Sequence, residues 1–131
     1  MALTINFTSV AVDDQDRALA FYTKTLGFTE DTDNPYEDSW RWIFLAPPGG
    51  GTKLHFARRA ELTWKPGMPV LALVSDDVDA EASALAAKGV EITMPPQDAP
   101  WGVGRFMLIK DSEENTIILQ SGTEALSLIH I

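Results

Sequence analysis

The chain states one pattern twice, and that repetition restricts its fold more than any other feature. The first statement is Val10-Ala11-Val12-Asp13-Asp14-Gln15-Asp16-Arg17-Ala18-Leu19-Ala20-Phe21-Tyr22, continuing to Leu26-Gly27-Phe28. The second is Leu73-Val74-Ser75-Asp76-Asp77-Val78-Asp79-Ala80-Glu81-Ala82-Ser83-Ala84-Leu85, continuing to Lys88-Gly89-Val90. Both read as a strand, an Asp-Asp-x-Asp hinge, an alanine-rich helix and a glycine stop. Asp14 and Asp77 suit the N-cap, where a carboxylate oxygen accepts from the free N–H groups of the first helical turn. Gly27 and Gly89 suit the left-handed conformation that ends a helix. Ala18, Phe21, Tyr22 and Leu26 fall near one helical face, which should pack on a sheet.

Strand-like runs follow each helix. After Gly27 they are Phe28–Asp33, Trp40–Ala46 and Lys53–Ala57, the last two separated by the turn Pro47-Pro48-Gly49-Gly50-Gly51. After Gly89 come Val90–Met94, a break at Pro95-Pro96, Val103–Lys110, and Thr116–Gln120 beyond the polar turn 111–115. Each half is therefore βαβββ and the fold class is α+β. The modules span residues 1–57 and 69–121 and are joined by an irregular linker, 58–68, containing Trp64, Pro66 and Gly67. Together they read as one domain over 1–125. Residues 126–131 (Leu126-Ser127-Leu128-Ile129-His130-Ile131) read as a non-native tail translated from a sequencing-adapter transposon end, which leaves His130 without a role.

Composition removes several functions. The 131 residues contain no cysteine, so zinc ribbons, iron–sulfur clusters, disulfide scaffolds and cysteine nucleophiles are excluded. The net charge of −9 argues against nucleic acid as a partner. No apolar run approaches the roughly 20 residues of a membrane span, and Met1-Ala2-Leu3-Thr4-Ile5-Asn6 lacks the regions of a signal peptide, so no membrane partner and a cytoplasmic location are expected. No Ser-His-Asp order, P-loop or dinucleotide fingerprint is present, since Gly102-Val103-Gly104 leads into a strand.

Taken together, Val12-Asp13-Asp14 leading to Phe21-Tyr22 and Leu26-Gly27-Phe28, then Ala46-Pro47-Pro48-Gly49-Gly50, Ser75-Asp76-Asp77-Val78-Asp79, Lys88-Gly89-Val90, and Pro95-Pro96 with Pro100-Trp101-Gly102, resemble the vicinal oxygen chelate superfamily. That group includes glyoxalase I, bleomycin-resistance proteins and extradiol dioxygenases, and the resemblance covers almost all of residues 3–121. It departs at Asp111-Ser112-Glu113-Glu114-Asn115, where the family usually reads Asp-Pro-Asp-Gly-Asn. The resemblance implies two modules curling their sheets into a cup, with helices on the convex face and a divalent metal in the cup chelating vicinal substrate oxygens. It also implies a homodimer. Carried onto this chain, the four metal positions fall on Phe7, Lys53, Val70 and Ile118, none of which can hold a divalent ion. A one-residue slip reaches only Thr8, Leu54, Leu71 and Leu119. No metal and no cofactor are therefore expected.

Other residues then become the candidates. By alternation Lys53, His55 and Ala57 face the cup while Leu54 and Phe56 face the helices. His55 and Arg105 are the candidate catalytic groups, the first as a neutral general base and the second as a bidentate clamp for carboxylate or phosphate. Ser9, Trp40, Trp42, His55, Trp101, Arg105 and Gln120 are the candidate ligand-binding residues: indoles for a flat or apolar molecule, Ser9 and Gln120 for neutral hydrogen bonds. The acidic run Glu30-Asp31-Thr32-Asp33, with Glu37 and Asp38, reads as a solvated loop able to attract a cation. The expected function is metal-free binding of a small organic molecule in an aromatic-lined cup. The alternatives are an enzyme of the lyase, isomerase or dioxygenase kind, and sequestration of a cationic antibiotic.

Overall fold

The computed structural model describes residues 2–63, 65, 67–100, 102 and 104–121. It divides into two compact units, Met1–Lys65 and Pro66–Ile131. The division falls inside the linker expected from sequence. Strand pairing reaches Arg58, and a single 3-10 turn at Arg59–Glu61 follows it.

In the first unit, β1 (Phe7–Val12) leads to α1 (Gln15–Ala20), then to β2 (Thr29–Glu37), β3 (Trp40–Ala46) and β4 (Lys53–Arg58). The strands lie in the order β1-β4-β3-β2, with β1 parallel to β4 and the other pairs antiparallel. The second unit repeats this plan with β5 (Pro69–Ser75), α2 (Val78–Ala87), β6 (Ile92–Asp98), β7 (Arg105–Lys110) and β8 (Thr116–Ser121), ordered β5-β8-β7-β6. Each unit is a βαβββ module, and the fold is α+β.

The repeated hinge works the same way in both. Asp14 accepts from the Arg17 N–H and Asp77 from the Ala80 N–H, each at 3.0 Å, so one orphan donor of each helix is satisfied. Gly27 and Gly89 take φ of 79° and 80° and end the helical runs. Between α1 and Gly27 the helix widens into a π-helical turn, Phe21–Thr25. Tyr22 is fully buried there and its ring meets Phe28 and Phe56. In the second unit Val78, Ala82 and Leu85, spaced for one helical face, are buried beside Met107, Ile109, Ile117 and Leu119.

Two strands run well past their expected ends. β2 continues through Pro35 to Glu37, and β6 runs through Pro95-Pro96 instead of breaking there. Both are edge strands with shifted register at those points, where a proline lacking its N–H costs no ladder bond. Glu30–Asp33 and Glu37 are consequently strand, not loop, with Asp38 in the turn that follows. The turn lacking the family's glycine also closes: Asp111 accepts from the Glu113 and Asn115 N–H groups at 2.8 Å. Glu114, in the glycine's place, takes φ of 69°.

Candidate functional site

The first sheet has two faces of different character. Val10, Val12, Ile43, Leu45, Leu54 and Phe56 alternate onto the face that packs with Tyr22 and Ala18, and all are buried. The opposite face carries Phe7 and Ser9 from β1, Trp42 and Phe44 from β3, and Lys53 and His55 from β4. The register places them together, with Ser9 opposite His55 and His55 opposite Phe44.

His55 is the centre of this group. Its ring lies 4.7 Å from Trp42, 5.0 Å from Phe44 and 5.3 Å from Phe7, centroid to centroid. Phe7 also meets Phe44 edge-on at 5.0 Å, and Trp42 packs against Tyr36 at 5.2 Å. Ser9 Oγ and His55 Nδ1 share a hydrogen bond of 3.0 Å, while Nε2 is buried with no hydrogen-bond partner. Burial among these rings holds the imidazole pKa below its ordinary 6.5, with the charge of Glu61 pulling weakly the other way. The site can therefore offer a neutral imidazole with one free nitrogen to a hydrogen-bonding group.

The remaining candidates are placed as follows. Trp40, at the start of β3, is half-buried with the Arg58 guanidinium over its ring at 4.9 Å. Gln120 is half-buried on β8, opposite Val74 and Phe106 in the second sheet. Arg105 shares its alternation with the buried Met107 and Ile109, and so lies on the helix side of the second sheet. There its guanidinium meets Asp79 of α2 at 2.7 Å and Asp98 of β6 at 3.3 Å. Arg41 does the same in the first unit, meeting Asp16 of α1 at 2.8 Å and Asp33 of β2 at 3.0 Å. Both arginines join helix to sheet and occupy equivalent places in the repeat. Trp101 and Trp64 lie outside the described residues, as does the tail.

Two members of the aromatic group, Phe44 and Tyr36, carry no signal of a binding role in sequence. Phe7 does, but only as an occupant of a metal position. That position does not fit a metal. Phe7 packs on His55, and the Lys53 beside it gives its ammonium to Asp31 at 3.0 Å, which holds that carboxyl below its usual range. Val70 and Ile118 bring only hydrocarbon. Among the described residues, no three His, Asp or Glu side chains gather as a metal cluster. No helix among them is long and apolar enough to cross a membrane.

The family model for the Glyoxalase/Bleomycin resistance protein/Dioxygenase superfamily matches residues 4–119. The chain is 36% identical to the Bacillus subtilis protein YurT over 104 residues, 72% of this chain and 81% of that one. Among solved structures it is similar to a member of the same superfamily from Sphaerobacter thermophilus, at 30% identity and a TM-score of 0.80, covering 92% of this chain and 98% of that one. It is also similar to TnmS3, an antibiotic binding protein from Streptomyces sp. CB03234, at 34% identity and a TM-score of 0.78, with the same coverage of each chain.

Proposed function

Because this chain belongs to the glyoxalase/bleomycin resistance protein/dioxygenase superfamily, we propose that it binds a small, flat organic molecule, without a metal, on the aromatic face of its first sheet. The observation that carries this reading is the cluster of Phe7, Trp42 and Phe44 around a neutral His55. Aromatic rings and a few placed polar atoms are what a binding surface for a planar ligand needs. The similarity to an antibiotic binding protein supports the same reading. Three carboxylates of the acidic strand, Asp31, Asp33 and Glu37, already pair with Lys53, Arg41 and Arg58. That favours a neutral ligand over a cationic one, despite the net charge. We read the protein as a homodimer in the cytoplasm. Leu3 and Ile5, 94% and 72% exposed ahead of edge strand β1, are apolar surface that a second copy would cover.

Titration with neutral polycyclic antibiotics, followed by tryptophan fluorescence, tests the reading. Trp42→Ala should weaken binding about tenfold or more, and a chelator should leave it unchanged. A stoichiometric divalent metal whose removal abolishes binding would overturn it. Turnover of the glutathione–methylglyoxal adduct, or cleavage of a catechol, lost in His55→Ala would assign an enzyme instead.

A further inference from the structure

The aromatic face holds one atom that neither fold nor packing accounts for. His55 is 8% exposed, and its Nε2 is buried without a hydrogen-bond partner. Buried polar atoms are almost always paired, and an orphan in an otherwise satisfied site marks a place for an incoming group. Its other nitrogen is held by Ser9, which fixes the ring's orientation. Around it the rings form a strip crossing every strand of the sheet: Tyr36 on β2, Trp42 and Phe44 on β3, His55 on β4 and Phe7 on β1. The steps from Tyr36 to Trp42, Trp42 to His55 and His55 to Phe7 are 5.2, 4.7 and 5.3 Å.

We infer that His55 Nε2 is the specificity-determining anchor of this strip, and that the ligand is a fused aromatic system carrying a hydrogen-bonding oxygen, hydroxyl or carbonyl, on its edge. The oxygen pairs with Nε2 while the rings pack against Trp42 and Phe44. This rests on the binding function proposed above and names the chemistry of its ligand. Because Nε2 is covered, one neighbouring ring must turn aside. Phe7 is the ring with room to do so: it is 38% exposed, sits at the start of an edge strand, and touches only Phe44 and His55 among the rings. Trp42 is 36% exposed but wedged among Tyr36, Phe44 and His55.

The test compares 2-naphthol with 2-methylnaphthalene, which have the same ring and differ in the edge oxygen. Wild-type protein should bind 2-naphthol about tenfold more tightly, the worth of satisfying one buried acceptor or donor. His55→Phe keeps an aromatic ring, removes the nitrogen, and should erase that preference while retaining affinity for both probes. In protein labelled with 15N-histidine, 2-naphthol should move the Nε2 resonance of His55 more than its Nδ1 resonance. Equal affinity of wild type for the two probes, or a preference that survives in His55→Phe, overturns the anchor and leaves the binding function standing. Failure of both probes to bind overturns both. The wild-type comparison and the resonance shift need no variant, so a poorly folded His55→Phe does not blunt the test.

Discussion

The two modules share one face and differ in the other. On the helix side they are near copies: an aspartate caps each helix, a glycine with positive φ ends it, and an arginine on the third strand ties the last aspartate of the hinge to the second strand. On the open side they diverge. The first sheet presents Phe7, Ser9, Trp42, Phe44 and His55, whereas the second presents Ala72, Val74, Phe106, Leu108, Ile118 and Gln120, with Val74 67% exposed. What the halves hold in common is what a βαβββ module needs to fold. What they do not share is free to serve recognition, and the first half gathers three aromatic rings around an imidazole there.

The sharpest way to break this contrast is truncation on each face. Phe56 and Met107 are fully buried on the helix sides of their sheets. Phe56→Ala should cost about 3–5 kcal/mol and Met107→Ala about 2–5 kcal/mol. On the open faces, Trp42→Ala and Val74→Ala should each cost less than about 1 kcal/mol, all measured by urea denaturation. A loss in Trp42→Ala as large as that in Phe56→Ala would make the aromatic face ordinary core and remove the reason to assign it a ligand.

Much of the shared face was legible in the residues alone. The hinge aspartates, the glycine stops and the limits of β3 follow from capping chemistry and alternation, which act within a few residues. The proline pair misled, because whether Pro95 and Pro96 break a strand depends on whether that strand lies at an edge, which is a property of the sheet. The open face was legible only in part. Ser9, Trp42 and His55 each stood out singly, but their meeting depends on the parallel register of β1 on β4, which no local pattern states. Phe44 was invisible because an aromatic residue in a strand is unremarkable until its neighbours are known. Arg105 looked available because its partner lies on a helix 26 residues earlier. The equivalent pairing of Arg41 with Asp16 was the signal that the repeat offered.

The shared face also makes a quantitative claim: both caps have the same geometry, so their loss should matter equally. Asp14→Ala and Asp77→Ala should each destabilise by about 0.5–2 kcal/mol, with Asn substitutions nearly silent. Equivalent losses would identify the hinge as one device used twice, even though α1 has 6 residues before its π-helical turn and α2 has 10. A cost confined to Asp77 would show that packing around Tyr22, and not the cap, positions the first helix.

The smallest effect belongs to the divergent face and concerns pH. Burial among Phe7, Trp42 and Phe44 depresses the His55 pKa from 6.5, against the opposing pull of Glu61. The unfolded chain therefore takes up a proton on this residue at higher pH than the folded one does. Above 6.5 both states hold the neutral imidazole and the folded state is at no disadvantage. As pH falls through 6.5 toward the lower folded value, protonation favours the unfolded state and stability declines; below the folded value the decline stops. Wild type should thus lose stability as pH falls through 6.5 relative to His55→Phe, whose profile lacks this contribution while retaining every other titrating group. Parallel profiles would mean the imidazole is as well solvated folded as unfolded. The rings would then not enclose it, and the face would differ from its counterpart in the second sheet in composition alone.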